Sequence, residues 1–236
     1  MKQLHPLQLK MLKKLLFAPQ MKYTELKPEE HIENNQFSFH LNALITMGYI
    51  KKIDPYYILT TQGKEYANRM DAGELQIQLQ AKVGVLVCAT RGQGDSQEYL
   101  IYTRKKHPFF GKQGFITWKA KIGEALADVA QRELLEEAHL LGTPQLVHIK
   151  HSFVYEKGSH KLLEDKFFYF FLVQNPQGTA QGSEEGPVER IARKEFSKKI
   201  TSIYYDFPDI MVIIDSLSTP NRPLTFEEKS YEVEDF

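Results

Sequence analysis

Cysteine is nearly absent from this chain, with one residue, Cys88, in 236. A single thiol excludes an internal disulfide framework and fits a reducing compartment. Cys88 stands in the apolar run Val83–Ala89, where a packed strand residue is expected rather than a reactive thiol. Net charge is absent too. The 30 Lys+Arg balance 30 Asp+Glu, so bulk charge favours no particular partner. No uninterrupted apolar run approaches the roughly 20 residues of a membrane span. Lys10, Lys13 and Lys14 interrupt the N-terminal segment before it could act as a signal-peptide core. His107, His148, His151 and His160 show no metal-ligand spacing, and there is no internal repeat. These absences lead to the expectation of a cytoplasmic protein without a membrane partner. Its length, with 42% hydrophobic and 25% charged residues, suits a globular chain of two domains.

What the chain does have is concentrated in Gly123–Leu140, GEALADVAQRELLEEAHL. On a helix, positions three and four apart share a face, so Glu133, Glu136 and Glu137 project together. Like charges so placed repel by roughly 0.2–0.5 kcal/mol per pair. A divalent cation would offset that, since hard cations take oxygen ligands and are held by carboxylates against substrate phosphates. The bland alternative is a solvated acidic face, because Glu is a good helix former.

Spacing decides between them. Glu124 lies eight residues before Arg132, and Arg132-Glu133-Leu134-Leu135-Glu136-Glu137-Ala138-His139-Leu140 follows. This arrangement resembles the Nudix box: glycine, five residues, glutamate, seven residues, then Arg-Glu-apolar-any-Glu-Glu-any-Gly-apolar. Glu124, Arg132, Glu133, Leu134, Glu136, Glu137 and Leu140 stand in register, while Trp118 and His139 replace the two glycines. The resemblance implies an α/β/α sandwich with a mixed sheet. It also implies metal-dependent hydrolysis of a nucleoside diphosphate linked to another moiety, with Mg²⁺ or Mn²⁺ as cofactor. Glu133 and Glu137 would be the leading metal ligands, Glu136 would share ligation or orient water, and Glu124 would be an outer ligand. Arg132 would form a bidentate pair with Glu124 or Glu136. The family's last glycine ends the helix in a left-handed conformation, which histidine tolerates. Its first glycine lies on a loop near the metal, so Trp118 there would reshape the pocket or supply an aromatic wall for a base. A further catalytic glutamate is expected beyond the box, and Glu184, Glu185 and Glu189 are equal candidates. Arg104, Lys105, Lys106 and Lys119 are placed to contact phosphates, with Arg104, Trp118 and Lys119 leading the substrate-binding set.

Residues 1–72 carry a different pattern. Leu7, Met11, Leu12 and Leu15 form an apolar stripe, and a short segment follows at Tyr23–Leu26. A helix from Asn34-Asn35 presents Phe37, Leu41 and Leu44 before a stop at Gly48. Ile50–Ile53 and Tyr56–Leu59 read as a hairpin, and Thr61 is a candidate cap for a last helix. Helix, helix, helix, two-stranded wing, helix resembles the winged helix-turn-helix of bacterial transcriptional regulators, a small α+β domain. The resemblance implies duplex DNA as partner. Gln36, Ser38, His40 and Asn42 would face the groove and Lys51 and Lys52 would neutralise phosphates, in a homodimer reading two half-sites. The segment holds 10 Lys+Arg against 7 Asp+Glu, a formal +3 that permits phosphate binding without demanding it.

The junction is expected at Ala72-Gly73, with the Nudix domain over residues 74–220 and an acidic, solvated tail over 221–236. Two other functions stay open. One is a transcriptional regulator whose Nudix domain senses a nucleotide-derived ligand without turnover. The other is an interaction adaptor with a vestigial box.

Overall fold

The computed structural model describes residues 4–71, 73–217, 223–234 and 236. The chain forms two compact units, Met1–Leu79 and Gln80–Phe236. Of the expected junction pair, Ala72 lies outside the described residues. Residues 73–79 group with the N-terminal unit, so the division falls after the polar stretch that follows Gly73.

In the N-terminal unit α1 (Pro6–Leu16) is followed by β1 (Met21–Lys22), α2 (Tyr23–Leu26) and α3 (Asn34–Thr46). The hairpin β2 (Ile50–Ile53) and β3 (Tyr56–Leu59) and then α4 (Thr61–Asn68) complete it. Pro6 at the first helical position suits α1, because its missing N–H would have no helical partner there. Met11, Leu12 and Leu15 from α1 pack with Phe37, Leu41 and Leu44 of α3 into one core. The cap of α4 is Thr60, not Thr61: its hydroxyl accepts from Gly63 N at 3.0 Å. Helix α3 ends as expected at Gly48, whose φ of +77° costs glycine nothing.

The C-terminal unit is a mixed eight-stranded sheet between helices. Its strands are β4 (Lys82–Arg91), β5 (Glu98–Thr103), β6 (Gln113–Gly114), β7 (Ile116–Lys119), β8 (Gln145–Glu156), β9 (Leu162–Gln174), β10 (Val188–Ala192) and β11 (Thr225–Val233). The hydrogen-bonded order is β10-β5-β4-β9-β8-β11, with β6 on β5 and β7 on β4. Central β4 is buried on both faces. Val85, Val87 and Ala89 pack on Val129, Ala130 and Leu134 of α5 (Leu126–Ala138). Leu86 and Cys88 face the other way, with Phe196 of α6 (Phe196–Lys199) and Phe207, Ile210 and Met211 of α7 (Phe207–Ser216) in the same cluster. Cys88 is the packed residue expected, and burial pushes its thiol pKa up.

The acidic end departs from expectation. Residues 225–233 are not a loose tail but an edge strand parallel to His148–Glu156. Exposure along β11 alternates strictly, and its carboxylates meet imidazoles: Glu228 pairs with His151 at 2.9 Å and Glu232 with His160 at 3.2 Å. Cross-strand partners compensate a charge run that, read alone, looks solvated. Pro220 and Asp235, also assigned to that region, lie outside the described residues.

His139 ends α5 in the left-handed region, φ 56° and ψ 34°, as its place in the box requires. A β-branched residue is strained there. His139→Ile should lower stability by roughly 1–2 kcal/mol, whereas His139→Gly should be tolerated within about 1 kcal/mol. Urea denaturation of the two variants checks this.

Candidate active site on the acidic helix

Helix α5 turns Val129, Ala130, Glu133, Leu134, Glu137 and Ala138 towards the sheet. Two of the box glutamates therefore occupy positions that the helical period assigns to the core. Glu133 is 0% and Glu137 5% exposed. Glu136 sits at the edge of that face, its side chain 55% exposed, so the three carboxylates are close but not equivalent.

Arg132 organises the group. Its Nη1 donates to Glu133 and, at 3.1 Å, to Glu136, while Nη2 lies 3.1 Å from Glu124 Oε1. The guanidinium fork thus binds three carboxylates rather than one. Glu124 is itself held by the backbone N–H of Lys121 at 2.8 Å, a bond that lowers its pKa together with the Arg132 contact. Glu133 keeps one oxygen, Oε2, buried without a hydrogen-bond partner. Burial pushes its carboxyl up to about 7, against the pull of Arg132. An ionised oxygen buried without a partner is costly, and a cation is the chemical group that would relieve it.

The donor set fits a divalent metal in one specific way. Among the described residues no group of three His, Cys, Asp or Glu side chains is arranged to hold a metal ion. Mg²⁺ does not require a complete protein cage, because it retains waters and is commonly held by one or two carboxylates together with substrate phosphates. Glu133 and Glu137, one turn apart on the buried face, meet that lesser requirement.

The loop before β10 closes on the same helix. Ser183 Oγ donates to Glu137 Oε2 at 2.5 Å and accepts from Glu185 N at 3.0 Å. Glu185 pairs with Lys106, whose Nζ also lies 3.6 Å from the Trp118 ring centroid. Of the three downstream glutamates, Glu185 is thus linked to the box. Glu189 pairs with Lys199 at 2.7 Å instead, and Glu184 is exposed. Ser183 was not legible in the sequence, because nothing local marks a serine whose partner is 46 residues away.

A cavity of about 520 Å³ has walls that include Lys106, Trp118, Lys119 and Phe109; Lys106 links it to this group, and none of the box carboxylates lines it. Trp118 does not stand on a loop. It lies in β7 opposite Val85, and Gly84 lets the strands approach so closely that a Cβ there would meet the Trp118 carbonyl oxygen at 2.4 Å. The Trp118 side chain lines the cavity. Lys119 is exposed at the rim. Arg104 also lines the cavity, but its Nε donates to the Pro108 carbonyl at 2.7 Å, so it braces the loop after β5.

The residues assigned to DNA in the N-terminal unit are not all on one free face. Gln36 and Asn42 are exposed on α3, together with Phe39 at 70%. Ser38 instead shares a 2.7 Å hydrogen bond with the Tyr23 hydroxyl, and His40 stacks on His5 with ring centroids 4.1 Å apart. Both are engaged within the unit by residues of other elements, although Ser38, four residues before Asn42, lies on the same side of the helix. Lys51 is exposed on β2, and Lys52 pairs with Asp54 at 2.8 Å.

A buried-glutamate helix packed on one face of a mixed sheet, with α6 and α7 on the other, is the α/β/α layering of a Nudix-type unit. The NUDIX domain family matches residues 78–202, and the chain belongs to that family. Among solved structures the fold is similar to the NUDIX domain of Shewanella oneidensis NrtR complexed with ADP ribose. That likeness has a TM-score of 0.51 at 13% identity, covering 68% of this chain and 100% of the other. It is also similar to the mutator MutT protein of Bacillus halodurans, with a TM-score of 0.50 at 16% identity, covering 66% and 93%. At such identities the likeness concerns the fold. No curated protein matches the chain. Among the described residues no helix is long and apolar enough to cross a membrane.

Proposed function

We propose that this protein hydrolyses the diphosphate linkage of a nucleoside diphosphate derivative with Mg²⁺ or Mn²⁺. The observation that carries the reading is Glu133 Oε2, a buried carboxylate oxygen without a partner, one helical turn from Glu137. Glu133 and Glu137 would hold the metal, with Glu136 at the solvent edge and Glu124 outside it. When bound, the metal would neutralise phosphate charge and acidify water. Arg132 keeps the carboxylates of Glu124, Glu133 and Glu136 in place. Lys106 sits near enough to feel the charges of Glu133 and Glu137, and would contact the diphosphate over Trp118. Glu185 is the downstream glutamate this arrangement favours. The test is a Mg²⁺-dependent turnover screen over nucleoside diphosphate derivatives. It would start with ADP ribose, the ligand named for the similar NrtR domain. Turnover of no derivative, with or without metal, would reject the reading.

A ligand sensor without turnover is the second reading. It is favoured by Trp118, which stands where the Nudix box has its first glycine. In either case the N-terminal unit is read as a winged helix-turn-helix that binds duplex DNA as a homodimer. What supports this is the order α1, β1, α2, α3, β2–β3 hairpin, α4, with Gln36 and Asn42 exposed on α3. Phe39 adds an apolar contact suited to a thymine methyl. Replacing Lys51 and Lys52 together by Ala should weaken binding across sequences and reduce the salt slope by about 2. Gel retardation at several salt concentrations reads both, and binding that is unchanged in strength and slope would move the phosphate contacts elsewhere.

A further inference from the structure

The far side of the cavity carries more positive charge than a diphosphate at the box can use. Lys82 and Lys166 face each other across β4 and β9, and both reach one carboxylate, Glu164, at 3.3 and 3.0 Å. Asp206, the cavity's other carboxylate, is already taken by Lys150, whose side chain is 0% exposed. Lys119 makes no ion pair among the described residues. One carboxylate therefore answers three lysines. These lie beyond Lys106, which is engaged by Glu185 on the side nearer the box. Lys166 rests 4.7 Å from the Phe168 ring centroid with its side chain 15% exposed. Burial pushes its ammonium pKa down against the pull of Glu164, with Lys82 and Lys119 adding to the fall.

We propose that Lys82, Lys119 and Lys166 form a second anion subsite, so that the preferred ligand is a nucleoside diphosphate derivative bearing a further phosphate or carboxylate away from the scissile linkage. The proposal rests on the diphosphate reading above for the position of the first anion. Phe168, under Lys166, and Trp118, under Lys106, line the same cavity and supply apolar surface for the moiety that joins the anionic groups.

Trp118 is the only tryptophan in the chain, so its fluorescence reports ligand entry whether or not turnover follows. Two probe pairs separate the sources of the anion: ADP-ribose against its 2′-phosphate, and UDP-glucose against UDP-glucuronate. The member with the extra group should bind about tenfold more tightly in at least one pair, the size of one charge-assisted hydrogen bond. The pair that responds identifies phosphate or carboxylate. Lys82→Ala should erase most of that preference. It should leave the Kd of the member without the extra group within about twofold, since one well-placed charge is lost and the rest of the ligand is untouched. Lys82→Ala leaves Lys166 on Glu164, so the fold is retained, which circular dichroism verifies. Lack of discrimination in both pairs, or equal weakening of both members by the variant, overturns the subsite. Preference without hydrolysis supports the subsite and rejects the enzyme, whereas hydrolysis without preference does the reverse.

Discussion

Glu133→Gln should lower turnover by on the order of 10²–10³-fold, as removal of one preorganised electrostatic element does elsewhere, while the protein melts no lower than the parent. The two halves of this expectation have one cause. Glu133 is fully buried, its Oε1 is bound by Arg132, and its Oε2 has no partner. Glutamine preserves volume and still offers Arg132 an acceptor, but it removes a charge whose desolvation burdens the folded state. Stability is therefore unchanged or improved, and the ability to hold a divalent cation is lost. Glu137→Gln should lose turnover similarly while keeping the acceptor that Ser183 donates to. Steady-state assays and thermal melts of both variants decide the matter. Parental turnover in both would remove these carboxylates from the reaction. Loss of turnover accompanied by a large fall in melting temperature would make Glu133 a structural residue instead.

The second large effect lies on the opposite face of the sheet. Lys150 on β8 has its ammonium 3.2 Å from Asp206 and 4.6 Å from the Tyr231 ring centroid. Burial pushes the Asp206 carboxyl up, and Lys150 pulls it back. Asp206 also occupies the cap position of α7, where its charge favours the helix dipole. Asp206→Ala leaves the Lys150 ammonium buried without its counter-charge, so stability should fall by about 3–5 kcal/mol. For a unit of this size that is a drop in Tm of roughly 6–20 °C. The double change Lys150→Met with Asp206→Leu should recover most of the loss, because a buried pair replaced by apolar groups of similar volume is often neutral. Calorimetry of the single and double variants tests it. A single variant within about 1 kcal/mol of the parent would show that water reaches the pair and screens it.

The elements and the centre of the site were legible in the primary structure for a physical reason. Helical period and charge spacing are local, so the box, the left-handed turn at His139 and the strand starting near Lys82 could be read without knowing what lies opposite them. Even the burial of Glu133 and Glu137 is implicit there, since both fall on the stripe shared by Val129, Ala130, Leu134 and Ala138. The outcome for Glu136 is a matter of degree on the same helix, decided by where the sheet ends. Other features depend on partners distant in the chain. The acidic end is a strand because its backbone pairs with β8, with His151 and His160 beside Glu228 and Glu232. Ser38 and His40 were taken from the exposed face of α3 by Tyr23 and His5. Selection of Glu185 over Glu184 and Glu189, the Ser183 contact to Glu137, and the meeting of Lys82 and Lys166 at Glu164 in the cavity that Lys119 also lines all join residues on different strands and loops. Sequence by itself determined which groups the helix presents and what chemistry they can perform. Tertiary structure decided which charges are paired, because pairing depends on three-dimensional proximity that no local pattern encodes.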